Sequence, residues 1–229
     1  MEIIPGIHCI PHPIVNAYVY DDAELVLIDA SIKGNDKKIL DYIKNTMHRD
    51  PRDVKEICIT HADFDHVGGL VGLKEATGAT IVSHVNEADI ITGKSIKEAK
   101  RLPLVARLFA PMLNGYKKCP HVETVDRMVE NGDSVAGLQA IHVPGHSPGE
   151  LAFYDPVRKA LFSGDAVLTN TRGRVCGPMT MSTFDLDSAW RSIEQLKALD
   201  VEVLLPGHGK PTTKDVNEQL KALTRPEKK

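Results

Sequence analysis

"THADFDHVGGL", residues 60–70, places His61, Asp63, Asp65 and His66 within six positions. The apolar run "EICI" leads into it and Gly68 and Gly69 follow. At a strand-to-helix turn, side chains spaced as H-x-D-x-D-H converge on one small volume. Imidazole and carboxylate donors together suit zinc, iron or manganese. The two glycines remove side-chain bulk next to that volume. Taken alone, the stretch also reads as a turn opening a polar helix N-terminus, where aspartates are favoured on dipole and capping grounds.

Three later segments change that balance. "HVPGHSPGE" sets His146 in a Pro-Gly turn, "LFSGDAVL" sets Asp165 directly after a strand and a glycine, and "LLPGHGKPT" sets His208 in a second Pro-Gly turn. Each is a lone ligand-type residue at the end of an apolar strand. One of them is readily structural; all of them in one chain offer donors for two metal ions with places left for water.

Periodicity places these segments in an α/β fold. "NAYVY", a "DDAE" turn and "LVLIDA" alternate as antiparallel strands, and the unbroken apolar run of "LVLI" predicts a strand covered on both faces. Ile39, Leu40, Ile43 and Met47 recur at helical spacing. "VKEICIT" and "ATIVSH" read as strands, with "GGLVGLKEATG" between them as a short helix closed by Gly78. The second half repeats the theme, with strands at "SVAGLQAIHVPG", "LAFYD", "KALFSGDAVL" and "VEVLLPGHGKPT" and an amphipathic helix at "FDLDSAWRSIEQLKALD". Two such halves make a four-layer sandwich with a seam where strand ends meet.

The bulk numbers bound the function. The 229 residues are 42% hydrophobic and 26% charged, enough for one large core under a charged surface. A net charge of −3 gives no electrostatic case for nucleic acid or an anionic membrane. The opening "MEIIPGIHCIPHP" lacks the basic and apolar regions of a signal peptide, and no stretch reaches the length of a membrane span. Cys9, Cys58, Cys119 and Cys176 are scattered without C-x-x-C spacing, as reduced thiols of a cytoplasmic protein would be.

In order, Asp29 at a strand end, "THADFDHVGG", "PGHSPGE", "SGDAVL" and "LPGHG" resemble the metallo-β-lactamase superfamily of hydrolases over nearly the whole chain. That resemblance implies a single αββα sandwich over residues 1–229 with a dinuclear centre at the edge of its two sheets. Carried over residue by residue, it assigns His61, Asp63 and His146 to a first metal and Asp65, His66 and His208 to a second. Asp165 bridges them, and Asp29 supports the metal loops. The implied cofactors are two divalent ions, zinc first, with iron or manganese as alternatives. The departure is Asp63, where the family usually has histidine; a carboxylate there makes the first site harder, or else only orients a neighbouring histidine.

The implied reaction is attack by a water or hydroxide held between the metals on an ester, thioester or lactone carbonyl of a small molecule, with Asp65 as the catalytic carboxylate that orients it. Glyoxalase II-type thioesterases and lactonases are the similar branches, and the short stretch after His208 sets the expectation away from a glutathione-binding C-terminal region. Two other readings stand beside this one: a mononuclear-iron sulfur (persulfide) dioxygenase and a non-catalytic, metal-stabilised binding module. Residues 85–120 read as a helical insertion. Its apolar half, with Leu104, Leu108, Phe109, Met112 and Tyr116, is expected to cap the seam or to form a homodimer surface. Tyr116, Arg172 and Arg174 are the candidate substrate contacts, and His84 a candidate neighbour of the site.

Overall fold

The computed structural model describes residues 1–95 and 119–226. Seven strands form one sheet: β1 (Glu2–Ile4), β2 (Ile7–Pro11), β3 (Asn16–Asp21), β4 (Leu25–Ile28), β5 (Val54–Cys58), β6 (Thr80–Ser83) and β7 (Arg127–Met128), hydrogen-bonded in that order. Strands β1 to β4 pair antiparallel and β4 to β7 parallel. A second sheet holds β8 (Ser134–Val135), β9 (Leu138–His142), β10 (Leu151–Asp155), β11 (Ala160–Gly164) and β14 (Val203–Pro206), in the order β14-β11-β10-β9-β8. A small ribbon, β12 (Leu168–Thr169) with β13 (Val175–Cys176), follows β11.

Side-chain alternation builds the layers. Val26 and Ile28 of β4 pack inward against the second sheet with Tyr18, Tyr20, Leu151, Phe153, Phe162 and Leu205. Leu25 and Leu27 of the same strand face outward onto Ile39, Ile43, Leu70 and Leu73. Both faces of β4 are therefore buried, which is why its sequence is apolar throughout. The covering residues come from α1 (Asp36–Asp41), the π-helical turn Tyr42–Thr46 that continues it, and α3 (Leu70–Thr77), which comes after the short α2 (Phe64–Val67). Gly78, at φ 69°, ends α3 in the left-handed conformation expected of a closing glycine.

The outer face of the second sheet repeats the arrangement. Ile141, Tyr154, Leu161 and Leu204 pack on Ile193 and Leu196 of α5 (Leu186–Leu196) and on Val216 and Leu220 of α6 (Val216–Lys221). Asp185 caps α5 by accepting hydrogen bonds from the amides of Asp187 and Ser188. Helix, sheet, sheet and helix are thus the four layers that the sequence pattern predicts. Of the 85–120 insertion, α4 (Val85–Ile91) lies among the described residues, whereas Leu104, Leu108, Phe109, Met112 and Tyr116 lie outside them. No helix among the described residues is long and apolar enough to cross a membrane.

Register decides where the functional loops emerge. Ile28, Cys58 and Val82 are parallel partners, so Asp29, Thr60 and His84 leave the first sheet at one edge. In the second sheet Gly164 pairs with Pro206 and His142 with Leu151, which brings the Asp165, His208 and His146 loops to that sheet's end. The two edges are joined directly: Leu151 N–H donates to Thr60 O at 2.9 Å and Asn16 N–H to Gly207 O at 2.8 Å.

Phe162 is the packing residue on which the sheets close. It is fully buried and meets the rings of Tyr18 and Tyr20 edge-on at 5.5 and 6.2 Å. Replacing it with alanine is expected to cost about 3–5 kcal/mol through lost burial and a residual cavity. Urea unfolding of Phe162→Ala measures this directly, and a loss under about 1 kcal/mol would contradict the packing described.

Candidate metal centre

Asp29 follows β4 and adopts a left-handed backbone, φ 62°. Its carboxylate accepts hydrogen bonds from the amide and hydroxyl of Thr60, at 2.8 Å from the amide, and lies 2.8 Å from His66 Nδ1. His66 Nδ1–H thus donates to Asp29, which leaves Nε2 pointing into the seam. There it meets His208 Nε2 at 3.4 Å and Asp165 Oδ1 at 3.5 Å. His61 is fixed through Nδ1, 3.0 Å from Thr60 Oγ1, so its Nε2 also faces the seam.

All seven sequence-predicted ligand-type residues come together here. His61, Asp63 and His146 form one group whose donor atoms lie within 4.8 Å of one another, and Asp65, His66 and His208 form another. His146 Nε2 lies 3.2 Å from Asp63 Oδ2, and His208 Nε2 lies 3.4 Å from Asp65 Oδ2. Asp165 stands between the groups: its Oδ2 is 3.7 Å from His146 Nε2 and 3.2 Å from His208 Nε2. Asp165 also forms a third group with His61 and His66.

The chemistry of this donor set fits divalent cations. His61 Nε2 and Asp165 Oδ1 are buried without a hydrogen-bond partner, a costly condition unless something of opposite polarity fills the space. The charges ask for the same thing. Burial disfavours a charged His66, yet the Asp29 and Asp165 carboxylates outweigh it and hold its pKa up to about 10. At His146, burial is likewise overcome, by the Asp63 hydrogen bond and by Asp165, to about 9. Asp165 is held well below the usual carboxylate range by His208, His146 and His66 in spite of its burial. His61 goes the other way, pushed down by burial and by His66, and so presents a neutral lone pair. Donors of this kind, held neutral or exchanging a proton, are what a metal requires.

Four supporting groups were not singled out in the sequence. Glu150 is fully buried; its Oε1 accepts the Asp165 amide at 2.6 Å, and burial raises its pKa to about 8. Glu87, on α4, accepts from the Ala62 amide, the Ser147 hydroxyl and the Gly149 amide. Asn16 and Tyr18 hold the His208 turn: Asn16 Nδ2 donates to the carbonyls of Pro206 and Gly209, and Tyr18 Oη to that of Pro206. Only Glu150 carried a local signal, its place at the end of "PGHSPGE"; Glu87 looks like any acid in a first helical turn.

Other expected residues fall elsewhere. His84 caps α4 and stacks on His142 at 4.2 Å, outside the three donor groups. Arg172 and Arg174 are exposed on the β12–β13 turn, where their amides bond to Asn170 Oδ1. Among the described residues no cysteine joins a donor group, and Tyr116 lies outside those residues.

Comparison with known proteins agrees with this geometry. The metallo-beta-lactamase superfamily pattern matches residues 11–208. The probable metallo-hydrolase YflN of Bacillus subtilis is 29% identical, over 93% of this chain and 87% of its own length. A hydroxyacylglutathione hydrolase of Hyphomonas neptunium is 34% identical over 64% of this chain; the match spans 44% of that relative's length. The structure of TTHA1623 in a di-iron-bound form superposes with a TM-score of 0.68 at 30% identity, covering 92% of this chain and 96% of that one. With its fold, its ordered motifs and most of its length in agreement, the chain belongs to the metallo-beta-lactamase superfamily of metal-dependent hydrolases.

Proposed function

We propose that this chain hydrolyses a small-molecule ester, thioester or lactone at a dinuclear metal centre. One observation carries the reading: two three-residue donor groups lie on either side of a single carboxylate, Asp165, that faces both. His61, Asp63 and His146 would hold one divalent ion, and Asp65, His66 and His208 the other. Such a pair, when bound, lowers the pKa of a shared water and polarises the substrate carbonyl. The hydroxyacylglutathione hydrolase relative and the di-iron neighbour support the substrate class and the metal count respectively.

The protein's own contribution is placement and proton handling. Asp65 sits in the first turn of α2 with its side chain 13% exposed, so it is reachable from solvent while its Oδ2 stays 3.4 Å from His208 Nε2. In that position it accepts a hydrogen bond from the attacking water, orients it and takes its proton, then returns a proton to the departing group.

Elemental analysis of chain purified without chelators is expected to give two divalent ions per chain. Chelation should abolish hydrolysis of thioesters and lactones, and the metal should restore it. A single iron per chain, with oxygen uptake on persulfides, would replace this reading with the dioxygenase. Asp65→Ala is expected to lower kcat by about 10²- to 10⁴-fold with folding intact; full activity would remove Asp65 from its role. Metal binding should also release protons. With His66 and His146 holding protons up to about 10 and about 9, both are protonated in the metal-free chain at pH 7 and must lose them to bind a metal. Affinity is therefore expected to fall as pH drops from 9 to 6. Calorimetry in buffers of different ionisation enthalpy reads the proton release, and a pH-independent affinity would contradict it.

A further inference from the structure

Glu87 is completely buried, and none of the ion pairs among the described residues involves it. Its charge is met by hydrogen-bond donors alone. Oε2 accepts the amide of Ala62 at 2.9 Å; Oε1 accepts the hydroxyl of Ser147 and the amide of Gly149, both at 2.8 Å. Ala62 lies between His61 and Asp63, and Ser147 follows His146. One carboxylate therefore ties together the two loops that supply every donor of the first group, from two different sheets. The approach is close: a Cβ on Gly149 would lie 2.8 Å from Glu87 Cγ and 2.9 Å from Oε1, so a bare backbone at 149 is part of the contact.

We propose that Glu87 is a positioning residue that sets the spacing of the His61–Asp63–His146 group, and through it the affinity of the first metal site. The inference rests on reading that group as a metal site. Glutamine cannot replace the carboxylate. Three donors converge on two oxygens, and an amide offers one oxygen and an NH2 that would face either the Ala62 amide or the Ser147–Gly149 pair, donor against donor. The second group has a tie of its own at His66, which donates directly to Asp29, so the effect of Glu87 falls chiefly on the first.

The experiment compares wild type with Glu87→Gln by two readouts. Metal content after dialysis against a zinc buffer should stay at two ions in wild type and fall to one in the variant, through an affinity loss of about 10- to 100-fold at the first site. Amide hydrogen exchange in the metal-free chain should become faster at both Ala62 and Gly149, while Ile57 and Phe153 in the sheet cores keep their protection. Ser147→Ala, which removes one donor, should show a smaller form of the same change if Glu87→Gln does not fold. Unchanged metal content with unchanged exchange at both amides would overturn the proposal. So would equal loss of both ions with exchange rising in the sheet cores, since Glu87 would then only support the fold. A wild type that binds fewer than two ions would overturn the dinuclear reading, and with it the metal half of the proposal; exchange at Ala62 and Gly149 would still decide whether Glu87 ties the loops.

Discussion

Three carboxylates and four imidazoles meet at the edge of two sheets, with Asp165 3.2 Å from His208 and Asp63 3.2 Å from His146. Carboxylates crowded into one buried seam do not all stay ionised unless positive charge lies among them. In the chain by itself that charge is supplied by protons on His66 and His146. The concentration of acids is the constraint to which the surrounding structure answers. A cluster of acids and imidazoles at these distances must be prevented from collapsing onto its own counter-charges, and that requires loops held in place.

The loops are fixed from behind by buried polar groups from several surrounding elements. Asp29 follows β4 and fixes Thr60 and His66; Glu87 on α4 fixes Ala62 and the His146 turn; Glu150 before β10 fixes the amide of Asp165; Asn16 and Tyr18 of β3 fix the turn that carries His208. Burying acids in a protein interior is costly unless the oxygens find donors. Here the donors belong to the functional loops themselves: the amides of Thr60, Ala62, Gly149 and Asp165, the hydroxyls of Thr60 and Ser147, and His66 Nδ1, with Glu150 Oε2 left unmatched. The cost of burial and the rigidity of the site are one arrangement: a loop that swung away would leave a carboxylate unsatisfied. Apolar packing does the coarser work, since the cores on each side of β4 and β11 bring the two strand-end edges together in the first place.

The candidate donors were legible in the sequence because they lie in the short loops that follow apolar strands, His146, Asp165 and His208 each next to a glycine, and strand ends follow from short-range patterning. "LVLI" and "LLP" are apolar throughout and "EICI" nearly so, so their termini are easy to place; Asp29 follows the first directly, and His208 and His61 stand within three residues of the ends of the other two strands. The layer order was legible for the same reason. Asp29 was also readable as support. Glu87, Asn16 and Tyr18 were not, because what makes them matter is contact over long sequence separations: 25 residues from Glu87 to Ala62 and 190 from Asn16 to Pro206. Nothing local marks an acid in a first helical turn as one that faces inward. The stacking of His84 on His142 was hidden in the same way, since it joins β6 to β9 across the sandwich.

Asp63 gives the centre its own character. With it, each of the two donor groups contains two histidines and one aspartate, and Asp165 faces both. In the proposed centre, three carboxylates therefore stand against two divalent ions. The supports differ even though the donors match. His66 is backed by the Asp29 carboxylate at 2.8 Å, which increases its basicity, whereas His61 is backed by the neutral Thr60 hydroxyl at 3.0 Å. In the proposed centre the second group thus has a charged support, and the first depends more on how well its loops are held. Glu87 holds them, which is why a residue outside the donor set bears on the metal occupancy of the centre.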